Sequence, residues 1–277
     1  MDTIIGLGKA GCAIAEKFTQ YSQYKVYKID SEDIDNSDKQ NYLLKRCVHP
    51  EEYENNVPSL KKFFNNASKD ILFVVCGSGY VSGATLQILK HLSSKNINIL
   101  YIKPELQFLA DTNLLQEKLV RNVLQEYARS GMINRFYIVD NTQIEEILGE
   151  IPIIRFFDYI NDLIVSTVHM INIYQHNEPV YKTSFENKAA RRISTFGLSD
   201  PENGEEKLFF SLDKVSEKSY YYAINEKDLE QDGKLLRRLT DNIQKNQDTI
   251  KSSFQIHSTS YEQNYGYVVA STSHTEN

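Results

Sequence analysis

The chain has 277 residues, of which 41% are hydrophobic and 25% charged, a balance that supports one large folded domain or two smaller ones and argues against a disordered chain. A formal charge of -6 removes the electrostatic case for nucleic acid, and the short basic pairs at 191–192 and 237–238 do not restore it. Three widely spaced cysteines, Cys12, Cys47 and Cys76, imply a reducing compartment without a disulfide framework, and with no CxxC pair no zinc site is expected.

The first expected strand, TIIGLG, has no basic region followed by a long apolar core, so no secretory signal is expected and a cytoplasmic setting follows. Further apolar, β-branched runs at KVYKID (25–30), DILFVV (70–75), INILYI (97–102) and RFYIV (135–139) alternate with helical patterns, the signature of a parallel sheet covered by helices. Between the last two, TNLLQEKLVRNVLQEYARSG reads as a structural helix with Leu115, Leu119, Val123 and Tyr127 on one face and Gly131 as its stop. IPIIRFFDYINDLIVSTVHMINIY (151–174) is strongly apolar, but Arg155, Asp158, Asn161 and Asp162 interrupt it, which fits a long buried helix and not a membrane span. After an exposed turn at GLSDPENG (197–204), KLFFSL and SYYYAIN read as strands, DLEQDGKLLRRLTDNIQKN as a helix, and SSFQIHSTS with GYVVASTS as an antiparallel pair. That segregation is typical of an α+β domain.

Two strand-to-helix junctions are glycine-rich: Gly6, Gly8 and Gly11 in the first, Gly77, Gly79 and Gly83 in the second. A helix N-terminus presents unpaired N–H groups and a positive dipole end, and glycine lets phosphate oxygens approach without a Cβ in the way, so phosphate is the ligand this pattern favours. The first turn alone matches GxGxxG, with Asp30 ending the next strand where it can meet a ribose hydroxyl, as in a dinucleotide site. A tight turn with no ligand satisfies the same pattern. Phe157 on an apolar helix face reads more readily as core than as a base platform, whereas Asn161 in an apolar stripe needs hydrogen-bond partners, which a purine edge supplies. Cys12 is most simply a small buried hydrophobe, the acidic run at 30–38 a solvated loop, and His169 with His176 lacks the further ligands a metal needs.

Taken together, the two turns resemble the tubulin/FtsZ family. GLGKAGCAIAEKF is similar to that family's first nucleotide loop, and CGSGYVSGATLQIL (76–89) resembles its glycine-rich signature loop. NILYIKPEL resembles its strand ending in Lys-Pro, and FYIVDNTQIEEIL the next strand with its Asn-bearing loop. FFDYINDLIVSTVHMI is similar to the central helix, where an aromatic stacks on guanine and an Asn four residues later reads its edge. The second module follows the family in order, without diagnostic residues. The resemblance implies an α/β fold: a Rossmann-like parallel-sheet nucleotide-binding domain (1–150), a long central helix (151–176) and a smaller α+β C-terminal domain (177–277). It implies GTP or GDP as ligand, with Mg2+ left open. The implied contacts are Gly8, Lys9, Ala10, Gly11, Cys12 and Asp30; Gly77, Ser78, Gly79, Tyr80, Ser82 and Gly83; Asn141; and, for the base, Phe157 and Asn161, which one helical turn puts on a common face. It also implies head-to-tail self-association into cytoskeletal filaments, with hydrolysis between subunits.

The chain departs from the family at Tyr80 and Val81, which stand where small residues are expected. It departs again at TSFENK (183–188), which puts Ser184 and Asn187 in place of aspartates and leaves Glu186 and Glu178 as candidate catalytic carboxylates. Hydrolysis is therefore expected to be weak or absent. Two alternatives stand beside a guanine-nucleotide-binding protein: an NAD(P)-dependent oxidoreductase using the first turn, and a structural homologue that keeps the fold without the ligand.

Overall fold

The first apolar run forms β1 (Thr3–Leu7), every residue of it buried, as a parallel strand covered on both faces requires. The protein, described by a computed structural model over residues 1–32, 34–183, 191–245 and 250–273, divides into two units, Met1–Val165 and Ser166–Asn277. In the first, β1 is joined by β2 (Lys25–Asp30), β3 (Asn41–Leu43), β4 (Asp70–Cys76), β5 (Asn96–Lys103) and β6 (Arg135–Asp140). Their order is β3-β2-β1-β4-β5-β6, with each neighbouring pair parallel. This is the expected Rossmann-like α/β sheet. The short β3 has too few residues to show a period, and it was not anticipated.

Helices α1 (Gly8–Lys17), α2 (Pro50–Asn56), α3 (Thr85–His91), α4 (Asp111–Ser130) and α5 (Asn141–Leu148) connect the strands. Gly131 ends α4 as expected, left-handed at φ 82°, while Met132 N–H bonds back to the Tyr127 carbonyl in a Schellman closure.

The inner face of α4 is not the one its periodicity suggested. Leu115 is 60% exposed and Leu119 53%, and the buried residues are Glu117, Arg121, Leu124, Gln125 and Ala128. Glu117 and Arg121 are accommodated because they pair: Arg121 Nε donates to Glu117 Oε1 at 2.9 Å, and the Tyr101 hydroxyl of β5 donates to the same carboxylate at 3.0 Å.

Helix α6 (Phe156–His176) is the long helix expected there, and the division between the units falls inside it. Its first part buries Ile160, Ile164 and Val165, while Lys17 at the end of α1 reaches Asp162 at 2.7 Å and Asp158 at 3.5 Å. Among the described residues no helix is long and apolar enough to cross a membrane.

In the second unit, β7 (Tyr181–Lys182), β8 (Ile193–Ser199), β9 (Glu206–Leu208), β10 (Glu217–Asn225), β11 (Lys251–Thr259) and β12 (Tyr265–Thr272) form the order β8-β12-β10-β11-β7, with β9 beside β8. The expected antiparallel pairing of β11 with β12 does not occur. Both flank β10, β11 parallel and β12 antiparallel to it, because α7 (Glu226–Gln231) and α8 (Leu235–Lys245) form a crossover between β10 and β11. The expected single helix breaks at Asp232–Lys234, and 197–199 lies in a strand, so the exposed turn begins only at Asp200. Leu235, Leu239 and Ile243 of α8 pack on Tyr220, Tyr222, Phe254 and Ile256.

Candidate functional site

Because β1 and β4 are adjacent and parallel, Leu7 opposite Val75, the turns that follow them leave the same sheet edge side by side. They touch: a Cβ on Gly8 would lie 2.8 Å from Val81 Cγ1. Both line one cavity of about 1180 Å³, which Lys9, Cys12 and Ala13 enter from the first turn and Gly79, Tyr80 and Val81 from the second. Asp30, Ser31, Tyr53 and Asn113 also belong to its wall, with the Tyr53 hydroxyl donating to Ser31 Oγ at 2.9 Å. Two cations in the wall are paired, Lys28 with Glu16 and Arg46 with Glu32. Lys9 is exposed and has no carboxylate partner among the described residues.

The glycines divide by cause. Gly8 sits at φ 72°, in the left-handed region. At Gly11 a Cβ would stand 2.5 Å from the Val74 carbonyl oxygen, at Gly77 2.2 Å from the Tyr101 hydroxyl, and at Gly83 2.1 Å from the Pro50 carbonyl oxygen. The chain's own packing therefore requires these three to be bare. Gly79 alone of the second cluster has nothing within 4 Å, so only there does the missing side chain leave space for a ligand.

Several expected contacts point inward. Ser82 is 1% exposed; its hydroxyl donates to the Gly77 carbonyl at 2.8 Å, accepts from Gln116 Nε2 at 3.2 Å, and its N–H is taken by the Gly79 carbonyl. Ser82 and Gly83 thus build the turn and are not among the residues lining the cavity. Ser78 accepts from Asn113 Nδ2 at 2.7 Å through its carbonyl. Cys12 lines the cavity with its thiol directed to the Gly6 and Ile29 carbonyls; burial, and then the Asp30 carboxylate, push that thiol up to about 12. Tyr80 is 37% exposed on the cavity wall, and Val81 covers Gly8. Lys9 and Ala10 are exposed, and Gly11 is buried.

Phe157 is 63% exposed, edge-on to Phe156 at 5.2 Å, which removes the core reading for it. Asn161 is half-buried one turn later. Asn141 opens α5 at the end of β6, on the sheet edge that also carries both glycine turns, and its buried Oδ1 has no partner among the described residues. Beside it Asp140 caps Thr142 N–H at 3.0 Å and pairs with Lys103 at 2.9 Å. Asn141, Phe157 and Asn161 are not among the residues lining the cavity. In the second unit Glu178 is exposed, and Glu186, Ser184 and Asn187 lie outside the described residues. His176 Nδ1 pairs with the Asn172 carbonyl, and the described residues hold no cluster of metal-ligating side chains.

Sequence reasoning missed Tyr101, Asn113, Gln116 and Glu117, all of which hold the second turn. The available signal was polar residues at 113, 116 and 117, the i, i+3, i+4 spacing of one helix face.

No family model and no curated protein matches the chain. Solved structures do. The GTPγS-form protofilament of TubZ from Bacillus thuringiensis serovar israelensis superposes with a TM-score of 0.72 at 16% identity, covering 96% of this chain and 86% of that one. CetZ from Methanosaeta thermophila gives 0.70 at 14% identity, over 99% and 87% of the two chains. An empty FtsZ dimer from M. jannaschii gives 0.67 at 10%, over 98% and 87%. At these identities the likeness is one of fold: the chain has the tubulin/FtsZ-like fold.

Proposed function

We propose that this protein binds a guanine nucleotide at the shared edge of its parallel sheet and assembles head to tail. The observation that carries the reading is the contact of Val81 with Gly8, which makes two separate glycine turns a single surface opening into one cavity. The N–H groups at the start of α1, the open backbone at Gly79 and the unpaired Lys9 suit a phosphate chain there. Asn141 Oδ1, without a partner among the described residues, is an acceptor suited to the N1–H and 2-amino donors of guanine, in place of which adenine has an acceptor N1 and a C2–H, and exposed Phe157 offers a stacking face with Asn161 beside it.

The solved TubZ structures of the same fold are protofilaments in GTPγS and GDP forms and a two-stranded filament, which supports extending self-association to this chain as part of the proposal. Hydrolysis is proposed to be weak or absent, with Glu178 and Glu186 as candidate carboxylates. Bound Mg2+ would add phosphate charge neutralisation, but no carboxylate of the cavity is singled out to hold it.

One observation favours a second reading. Asp30, Ser31 and Tyr53 line the cavity whereas Phe157 and Asn161 do not, as a dinucleotide ribose at the end of β2 would want. Calorimetric titration with GTP, GDP, ATP and NAD decides. Guanine nucleotides binding at least about tenfold tighter than ATP, with the preference lost in Asn141→Ala or Asn161→Ala, is the expected result. NAD binding alone selects the oxidoreductase, and no binding leaves a structural homologue. Nucleotide-dependent pelleting then tests assembly.

A further inference from the structure

We propose that α4 is the element that positions the 77–82 turn, with Tyr101 and Glu117 as positioning residues that set where the turn's backbone lies. Three residues on one face of α4 hold that turn. Asn113 Nδ2 donates to the Ser78 carbonyl at 2.7 Å, and Gln116 Nε2 donates at 3.2 Å to Ser82 Oγ, which itself donates to the Gly77 carbonyl at 2.8 Å. Glu117 acts from beneath: its carboxylate and its backbone carbonyl accept from the Tyr101 hydroxyl at 3.0 and 3.2 Å, and that hydroxyl oxygen is the atom 2.2 Å from the Cβ that Gly77 lacks. The turn therefore rests on the tyrosine, and the tyrosine is aimed by Glu117.

The character of Glu117 argues that geometry, and not stability alone, is what it serves. It is 0% exposed, with both Tyr101 and Arg121 on Oε1 while Oε2 has no partner among the described residues. An ion pair buried in this way contributes little net stability compared with apolar residues of similar volume. What a buried, charge-assisted hydrogen bond does impose is a narrow range of positions for its partners. Here those partners are a hydroxyl in contact with the turn and an arginine one helical turn away.

The inference rests on reading the turn as phosphate-binding, and the test separates the two. The full chain and its Tyr101→Phe and Glu117→Gln variants are titrated with GTP and with guanosine, and amide exchange across 77–82 is followed without ligand. Tyr101→Phe keeps the ring and is expected to weaken GTP about tenfold while leaving guanosine unchanged, so the GTP-to-guanosine affinity ratio falls. Glu117→Gln retains an acceptor for the hydroxyl and is expected to lose less, and it carries the test if Tyr101→Phe fails to fold. The Ser82 amide, bonded to the Gly79 carbonyl, is expected to exchange faster in Tyr101→Phe. An unchanged ratio in a wild type that binds GTP overturns the positioning role. A wild type that binds neither probe defeats the nucleotide reading instead, and the exchange measurement alone then decides: unchanged exchange overturns the proposal.

Discussion

Val81 stands over Gly8 so closely that a Cβ there would come within 2.8 Å of Val81 Cγ1, and Gly8 itself sits at φ 72°. Val81, one of the two residues that stand where small ones were expected, is thus the one that joins the two turns. Its side chain occupies space over the first turn, while Gly79 keeps the second open.

Gly8→Ala is expected to cost about 2 kcal/mol, part from the left-handed backbone and part from Val81. In a Val81→Ala background the steric part disappears and about 1 kcal/mol remains. Urea midpoints of the four chains measure the coupling, and strict additivity would show that the turns do not press on each other.

Phe157→Ala is expected to change stability by no more than about 0.5 kcal/mol, as for an exposed residue, while weakening a guanine nucleotide roughly tenfold through lost stacking. Denaturation and calorimetry on the same sample read both. A stability loss of about 3 kcal/mol would instead mark it as a core residue.

Arg121→Met leaves the Glu117 carboxylate buried without its cation and is expected to cost about 3 kcal/mol or more. Replacing both members, Glu117→Leu with Arg121→Met, is expected to recover stability to within about 1 kcal/mol of wild type. If the single and double variants unfold at the same denaturant concentration, the ion pair is not what holds this face of α4.

The Cys12 thiol, raised from 9.0 to about 12 by burial and then by Asp30, stays protonated when the unfolded chain has already released its proton. The unfolded state then binds fewer protons, so stability falls as pH climbs from 9.0 toward 12, by at most about 1.4 kcal/mol per pH unit for this group. Cys12→Ala is expected to remove that component, read as the difference in alkaline slope between the two chains. Alkylation of native Cys12 at neutral pH is expected to be slow.

The central strands were legible because a parallel strand covered on both faces must be apolar throughout, and DILFVV and INILYI satisfy that without reference to any neighbour. The helix stop at Gly131 was legible for a similar reason, since the left-handed cap it supplies is a local requirement. Local sequence reaches its limit at α4. Leu115 and Leu119 mark an apolar face, yet the helix turns Glu117 and Arg121 inward, because the hydroxyl of Tyr101, on a different element, donates to the Glu117 carboxylate with which Arg121 pairs.

The glycine turns show the same boundary. That the backbone at 8, 11, 77, 79 and 83 is bare was written in the chain itself, along with the strand-to-helix rhythm that brings both turns to one sheet edge. What each bare position makes room for was decided only in three dimensions: a carbonyl of β4 at Gly11, a tyrosine hydroxyl at Gly77, a carbonyl from α2 at Gly83, and open space at Gly79. A residue type records that a side chain is excluded; the excluding atom lies far away in sequence, and only folding brings it there.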